Sequence, residues 1–249
     1  MEMMKPFSLV TAGIIAAFLA FVPGAAAANI VQVGQTSTPI AAPQCPKGTS
    51  PSKCFIILTR TTALQSTSDG VNNPMVVKKN GWLISFTVGL SNLSSNSKTE
   101  RSFLHTLDST YGGTPQLALT VLKPGPKHKY TVAAQSPMFH VIPFLGQVLD
   151  EPLSLPPNFT QFTALPVKAG EVIGLTIPTW APVLAYNLNT SKFSYRQSRK
   201  ANCNHAAGSE TAQMSVGAST QYLCSYSGTR VEYSATEVVN TPYPKKYVH

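Results

Sequence analysis

The chain is short of acidic side chains. It has 10 Asp and Glu residues against 19 Lys and Arg residues among 249, and its formal net charge is +9. Hydrolysis of a glycosidic bond requires two carboxyl groups that face each other across a cleft, and the candidates for such a pair are Asp150, Glu151 and Glu171. Asp150 and Glu151 precede a proline, as in a turn, and Glu171 begins a predicted strand where it would be solvated. The scarcity of acids therefore disfavours a glycosidase.

The motifs of common catalytic classes are also missing from the sequence. It contains no G-x-S-x-G nucleophile turn, no H-E-x-x-H metal motif, no glycine-rich phosphate loop and no EF-hand loop. His105 and Asp108 are close in sequence, but they belong to a polar stretch and are typical of a solvated loop. We therefore expect no catalytic centre, no cofactor and no metal site. The alternative is an exported hydrolase with a non-standard carboxylate site around Asp150 and Glu171.

Long apolar runs are confined to the N-terminus. Residues 7–22 are almost entirely apolar, Lys5 precedes them, and small residues follow up to Ala27 and Ala28. This order predicts a secretory signal peptide over 1–27, cleaved after Ala27 or Ala28. No later run approaches the length that spans a bilayer, although a retained N-terminal anchor is the alternative at this stage. We expect a secreted or envelope-associated protein without a transmembrane anchor after processing.

Helical patterning is scarce as well, with no amphipathic window longer than two turns and no internal repeat. Strand patterning is present instead. Apolar residues recur at every second position of 81–90, which predicts a strand with one buried face, formed by Trp82, Ile84, Phe86, Val88 and Leu90. Further strands are predicted at 54–61, 117–122, 130–134, 159–164, 171–178, 183–186, 192–198, 221–226 and 230–235.

These short strands predict an all-β protein with one antiparallel β-sandwich or jelly-roll-like domain at 54–240. A loose leader is expected at 28–53 and a flexible tail at 241–249. The stretches 62–74 and 91–113 are predicted to be polar connections, and 139–148 fits either a short helix or a strand.

Three segments in a fixed order carry a resemblance to a known group. They are GWLISF at 81–86, LALTVL at 117–122 and LPVKAGEVIGL at 165–175. Over 54–186 the chain resembles a broad group of uncharacterised secreted β-sandwich proteins of actinobacterial type. It differs from them at Glu171, where the group usually has Asp, and at Phe86, where it usually has Trp. The resemblance implies a β-sandwich fold and an exported location, and it implies no reaction.

The cysteines are few and even in number. An exported chain with four cysteines favours two disulfides, for which three connectivities are possible. We favour the pairs Cys45–Cys54 and Cys203–Cys224, because each closes a short polar loop beside a predicted strand. The spacings do not match C-x₂-C, and His205 is the only imidazole nearby, so zinc is disfavoured.

Basic residues are densest at two places, around Lys123, Lys127 and Lys129 and at 196–200. The first set lies at the tip of a predicted hairpin. The candidate binding residues are Lys123, Lys127, Lys129, Tyr195, Arg196, Arg199 and Lys200. An anionic envelope polymer or glycan is the expected partner, and nucleic acid is not expected because no recognition motif accompanies the charge. Alternatively, the charge is a property of composition without a binding role.

Tyrosine is concentrated late in the chain, where six of nine tyrosines follow residue 190. Such side chains could form a sugar- or peptide-binding surface, or a half-buried rim that closes the sandwich. N-x-S/T sequons at Asn92, Asn158 and Asn189 indicate polar surface. The sequence thus predicts an exported, non-catalytic β-sandwich with a binding or structural role at the cell envelope or outside the cell.

Overall fold

The computed structural model describes residues 29–45, 56–153, 164–201, 203 and 211–239. Within these residues the protein is mostly antiparallel β structure, with one α-helix. The predicted signal peptide, most of the predicted strand at 159–164 and the predicted tail lie outside the described residues. No helix in the described part of the chain is long and apolar enough to cross a membrane.

The helix α1 spans Ser97–Tyr111, and a 3₁₀ turn spans Ile142–Phe144. The strands, numbered in chain order, are β1 Asn29–Val33, β2 Leu58–Ser68, β3 Val71–Asn72, β4 Gly81–Gly89, β5 Gln116–Gly125, β6 Lys129–Gln135, β7 Phe139–His140, β8 Val148–Pro152, β9 Leu165–Val167, β10 Val172–Ala181, β11 Leu184–Ala185, β12 Ser194–Gln197, β13 Ser219–Gln221, β14 Cys224–Ser227, β15 Arg230–Val231 and β16 Tyr233–Val239.

The first sheet has five strands in the order β1-β16-β4-β8, with β9 also paired to β4. Strand β1 pairs antiparallel with β16 over its whole length, from Asn29 opposite Val239 to Val33 opposite Ala235. This edge strand falls in the segment expected to be a loose leader, so the sheet begins earlier in the chain than the sequence analysis expected.

The second sheet is curled. Seven of its nine strands follow the order β13-β6-β5-β10-β2-β12-β14, while β3 pairs with β2 and β7 with β5. Strands β13 and β14 lie at opposite ends of this order, yet only Tyr222 and Leu223 separate them in the chain. The two ends of the sheet must therefore approach each other, and the sheet forms a half-barrel. The predicted single strand at 221–226 is in fact this crossing between the two ends.

The two sheets share one hydrophobic core. Leu83 and Phe86 of β4 belong to the same buried cluster as Leu119 of β5 and Ile173 and Leu175 of β10. All five side chains are inaccessible to solvent. Because apolar burial contributes about 25 cal/mol per Å², this shared core is the main reason the two sheets stay together.

Strand β4 buries its side chains in a pattern that differs from strict alternation. Leu83 and Phe86 are fully buried, whereas Trp82 and Ile84 are only half-buried. The pairing of β4 with β16 shifts by one residue between Leu83 and Ser85, which places a β-bulge at Ile84. A bulge adds one residue to a strand and reverses which side chains face inward beyond it. The prediction that Trp82 and Ile84 share the core face with Phe86 is therefore wrong.

Helix α1 lies in the stretch 91–113, where the sequence analysis expected only a polar connection. The Asn96 side chain caps its N-terminus by accepting two backbone N–H groups, and Gly112 ends it with a φ of 82°. One face of the helix packs against the buried Trp180 through side chains that are partly buried, namely Phe103, Leu104, Leu107 and Tyr111. The helix was missed because it buries no residue completely and its other positions are polar.

Strand β2 runs to Ser68 and so includes most of the predicted connection at 62–74. The chain reverses only at Asp69 and Gly70, whose φ angles are 52° and 80°. Positive φ at both central positions is the geometry of a type I′ turn, which suits the twist of a hairpin. The predicted turn thus exists, but it is shorter and begins later.

The Cys203–Cys224 disulfide is confirmed, with a Cα–Cα distance of 5.2 Å. It joins the start of β14 to the segment that follows β12. Cys54 lies outside the described residues, so the Cys45–Cys54 pair stays a prediction.

Candidate functional site

The predicted basic hairpin exists, but its turn lies later than expected. The turn was predicted at 123–126, whereas β5 continues to Gly125 and the chain reverses at Lys127 and His128. Strands β5 and β6 pair with Lys123 opposite Thr131 and with Gly125 opposite Lys129. Paired residues and residues two positions apart share a face, so the side chains of Lys123 and Lys129 lie on the same face of the hairpin. The turn is closed by a hydrogen bond from the Lys129 N–H to the Pro126 carbonyl oxygen at 3.1 Å.

Lys127 stands at the end of this hairpin. Lys127 and His128 occupy the two central turn positions with φ angles of 53° and 55°. These positive values give a type I′ turn without asparagine or glycine, the residues that adopt it most easily. The three lysines Lys123, Lys127 and Lys129 are exposed and form no ion pair with any residue that the structure describes.

The neighbouring strand β13 widens this surface. The hydroxyl groups of Thr131 on β6 and Ser219 on β13 are hydrogen-bonded at 2.9 Å, and the Gln221 amide donates to the Lys127 carbonyl oxygen at 3.3 Å. On the opposite face, Tyr130 packs edge-on against the buried Tyr222 with ring centroids 4.8 Å apart. The tip is therefore anchored to the core by an aromatic contact while its outer face carries hydroxyl, amide and ammonium groups.

The second predicted basic patch does not form on the surface. Tyr195 is buried and stacks on Tyr226 with ring centroids 4.9 Å apart, and Arg199 is 1% exposed, with its guanidinium donating to the Thr59 carbonyl oxygen. Arg196 is half-buried and donates to the Tyr222 carbonyl oxygen at 3.1 Å.

Lys200 is exposed and is the only member of this predicted patch that is fully available to a partner. Strand β12 is paired on both sides along 194–197, and Ser198 and Arg199 beyond it are also buried.

Most of the described tyrosines after residue 190 donate hydrogen bonds to other parts of the protein and not to solvent. The Tyr222 hydroxyl donates to Gln213 Oε1 at 2.5 Å, the Tyr226 hydroxyl to the Cys203 carbonyl oxygen at 2.6 Å, and the Tyr233 hydroxyl to the Ile173 carbonyl oxygen at 2.9 Å. Burial raises the pKa of Tyr195, Tyr222 and Tyr233, as expected for enclosed phenols. These contacts favour the closing rim over a sugar-binding surface.

The polar face of the curled sheet is covered over its centre. Thr176 Oγ1 lies 2.9 Å from Thr62 Oγ1 and 2.7 Å from Thr120 Oγ1, and the Gln135 amide donates to both Thr120 and Thr176. The Gln213 backbone N–H donates to Thr62 Oγ1 at 2.9 Å. Gln213 and Gln135 thus satisfy these hydroxyl groups, and Thr62, Thr120 and Thr176 are completely buried.

The carboxylates of the alternative hydrolase site do not face each other. Asp150 and Glu151 are successive residues of β8, so their side chains point to opposite faces. Asp150 accepts a hydrogen bond from Thr87 Oγ1 at 3.1 Å, whereas Glu151 lies opposite the buried Phe86. Glu171 accepts the Lys168 N–H at 2.8 Å within its own turn. This geometry gives no support to paired acid–base chemistry.

A buried ion pair that was not predicted from the sequence lies near the end of the chain's described part. Arg230 and Glu232, 2% and 4% exposed, form an ion pair at 3.6 Å. Arg230 also donates to the carbonyl oxygens of Thr38 and Pro39, and Glu232 accepts the Ala41 N–H. These contacts fasten the segment that follows β1.

A second fastening point for this segment is Asp69. Burial would raise the pKa of Asp69, but hydrogen bonds from Thr36 and Thr38 outweigh it and hold the pKa well below its usual range. The ionised Asp69 carboxylate therefore joins the segment after β1 to the turn between β2 and β3.

No cluster of three or more His, Cys, Asp or Glu side chains suited to a metal ion occurs in the described part of the chain. Comparisons with protein-family models, with curated proteins and with solved structures found no match for this chain. The function must therefore be inferred from its residues and their geometry.

Proposed function

We propose that this protein is exported and acts at the cell envelope or outside the cell as a non-catalytic binding protein. Its partner is an anionic envelope polymer or glycan, held by the hairpin tip of Lys123, Lys127 and Lys129. We further propose that its two sheets form a β-sandwich of the jelly-roll type, related to the secreted proteins that its strand motifs resemble.

The placement of the three lysines carries this proposal. Lys123 and Lys129 occupy diagonal positions on one face of the hairpin. The Cα atoms of such diagonal neighbours lie roughly 7–8 Å apart. Lys127 extends from the turn beyond them. No described acidic side chain forms an ion pair with them. A chain with regularly spaced anionic groups could therefore contact all three ammonium groups at once.

Rigidity adds to this argument. The hairpin is paired to β10 through β5 and to β13 through β6, and Tyr130, next to Lys129 near the turn, is packed against Tyr222. A lysine on a fixed strand loses less conformational freedom on binding than one on a loose loop. The hydroxyl groups of Thr131 and Ser219 lie beside the lysines and suit the hydroxyl groups of a glycan.

Export itself is tested by the start of the mature chain. We expect N-terminal sequencing of the exported protein to begin at Ala28 or Asn29. A mature protein that still begins at Met1 and sediments with membranes would instead support a retained anchor.

The binding test replaces the three hairpin lysines together by glutamine. A matched control replaces three exposed lysines on other elements, Lys98, Lys168 and Lys192, and changes the net charge equally. Three exposed ion pairs of about 0.5 kcal/mol each correspond to roughly tenfold in affinity. We expect this loss for polygalacturonate in the hairpin variant at low salt, and little change in the control.

Two further measurements vary the salt concentration and replace the anionic polymer by an uncharged one. Binding should weaken steeply with salt, because exposed charges are screened within about 10 Å at 0.1 M, and uncharged dextran should not bind. Equal losses in both variants would show that only net charge matters. Unchanged retention on polygalacturonate and on cell-wall material would reject the hairpin as a binding surface.

A further inference from the structure

A small cavity lies at the margin of the core, between the first sheet and the segment that leads into β4. Its volume is about 180 Å³. Its walls are mainly apolar. They include Val31 of β1, Val239 of β16, and Val76 from the segment before β4. The cavity is distant in sequence from the hairpin tip, and the inference below does not depend on the proposed polymer binding.

One carboxylate lines this cavity. Glu237 of β16 is 1% exposed, and its Oε1 atom has no hydrogen-bond partner among the described residues. It lies opposite Val31 on one side and opposite the buried Leu83 on the other. Because paired residues share a face of a sheet, Glu237 lies on the same face as the buried Leu83, whereas Val31 on the edge strand of that face is 40% exposed.

The position of this carboxylate depends on Gly81. A Cβ atom at residue 81 would lie 2.7 Å from Glu237 Oε1 and would also meet the Val238 carbonyl oxygen. Only glycine leaves room for the carboxylate at this point. A buried acceptor that lacks a donor costs free energy, so this arrangement is unfavourable unless another molecule supplies the donor.

The charged groups at the cavity are Glu237 and two lysines, Lys78 and Lys79. Both lysines are exposed. Burial raises the pKa of Glu237, and no neighbouring positive charge offsets this effect. The lysine ammonium groups therefore stay at the rim and leave the carboxylate inside without a counter-charge.

We infer that this cavity binds a small organic cation with a single ammonium group and a short alkyl chain, and that Glu237 is the residue that holds the ammonium. An ammonium group supplies three donors to an acceptor that lacks one. The valine walls accept the alkyl chain, and a cavity of this size holds roughly four to six carbon atoms, since a cavity of about 150 Å³ accepts benzene. Lys78 and Lys79 would repel a second positive charge at the rim.

Three probes of similar size distinguish the parts of this inference. Calorimetric titration of the mature protein at pH 8 and low salt should show binding of n-butylammonium. Butan-1-ol has the same chain without the charge and should bind at least about tenfold more weakly, because charge-assisted hydrogen bonds are the stronger ones. 1,4-Diaminobutane carries a second charge toward the rim lysines and should also bind more weakly.

The carboxylate is tested by Glu237→Gln, which keeps the shape of the side chain and removes the charge. This variant should lose n-butylammonium binding by about tenfold or more, while Glu100→Gln on helix α1 should bind like the unmodified protein. Val76→Phe narrows the cavity without altering Glu237 and should also abolish binding. Circular dichroism identifies any variant that has not folded.

Carbon NMR of the Glu237 carboxyl group gives an independent readout. Bound n-butylammonium favours the ionised form, so it should lower the pKa of Glu237, and binding should weaken as the pH falls through that pKa. Equal binding of butylammonium and butanol would overturn the inference, as would full binding by folded Glu237→Gln or by folded Val76→Phe. Absence of butylammonium binding to the folded, unmodified protein at millimolar concentration would overturn it as well.

Discussion

The indole N–H of Trp180 donates a hydrogen bond to Asp108 Oδ1 at 2.9 Å. Trp180 lies in β10 and is fully buried, whereas Asp108 lies in the last turns of α1. This bond joins the only helix of the described chain to the curled sheet. Asp108 is therefore a structural hydrogen-bond acceptor on a helix. The prediction that His105 and Asp108 lie on a solvated loop is wrong.

Replacing Asp108 by Ala should destabilise the protein, because the buried indole N–H would lose its acceptor. We expect the free energy of unfolding to fall by about 1–3 kcal/mol, measured by denaturant titration with tryptophan fluorescence. Asp108→Asn keeps an acceptor oxygen and should cost less. His105→Ala, at an exposed position of the same helix, should change stability by less than about 0.5 kcal/mol. Equal effects of the two Ala variants would contradict the assigned role.

Gly89 in β4 marks where the segment after β1 crosses the first sheet. A Cβ atom at residue 89 would collide with the Ala41 carbonyl oxygen, and the Gly89 N–H is bonded to the Glu232 carbonyl oxygen at 2.8 Å. Gly89→Ala should therefore push the segment away and destabilise the domain by about 1–3 kcal/mol. Gly125→Ala is the control, because its added Cβ would find only ordinary contacts at 3.4 Å and beyond.

Limited proteolysis provides a second readout for this crossing. Cleavage near Ala41 should be faster in Gly89→Ala than in Gly125→Ala, because local unfolding exposes the backbone to the protease. If both variants are cleaved like the unmodified protein, the close contact between residues 41 and 89 does not hold the segment.

The strands of the core were predictable from local pattern. Short apolar runs at 117–122 and 171–178 predicted β5 and β10, because strand propensity and turn chemistry are properties of a few adjacent residues. The turn residues at 123–126 predicted a hairpin, but β5 continues to Gly125 and the turn lies at Lys127 and His128. The Cys203–Cys224 disulfide was the favoured pair because it closes a short loop beside a predicted strand, but four cysteines allow three connectivities and the structure decides among them.

Features that depend on distant residues were not predictable from that pattern. The bulge at Ile84 appears only through pairing with β16, and Tyr195 lies in β12, which is paired on both sides. Arg199 is buried where its guanidinium donates to the distant Thr59 carbonyl oxygen. Helix α1 did have local signals, since Asn96 and Gly112 are typical caps. They were overlooked because the sequence around them is polar.

Glu232 should make stability depend on pH in a specific direction. Burial raises its pKa from 4.5 to about 7, and the positive charge of Arg230 only partly opposes this. Because the folded state holds the proton more tightly than the unfolded state, the contribution of Glu232 is complete below pH 4.5 and is lost as the pH rises through 7. The loss amounts to about 3 kcal/mol at most.

The measurement is the difference in unfolding free energy between the unmodified protein and Glu232→Gln from pH 4 to pH 8. The difference isolates Glu232 from other groups with raised pKa values, such as Glu151. We expect the unmodified protein to lose stability relative to the variant across this window. A flat difference would mean that Arg230 keeps Glu232 ionised throughout.

Replacing His128 changes the stability of the hairpin turn without changing the three lysines. His128 has a φ of 55°, a left-handed conformation that costs a non-glycine residue roughly 1–2 kcal/mol. His128→Gly should therefore stabilise the protein by about 0.5–1 kcal/mol, since the greater freedom of glycine in the unfolded chain offsets part of the gain.

Lys129→Gly at the next position is the contrast for His128→Gly. Residue 129 is in β6, where glycine weakens a strand, so this variant should be less stable. His128→Gly leaves all three lysines in place and should bind polygalacturonate as well as the unmodified protein, whereas Lys129→Gly should bind more weakly. If His128→Gly also loses binding, the turn residue itself contacts the polymer, and the surface must then extend over the whole tip of the hairpin.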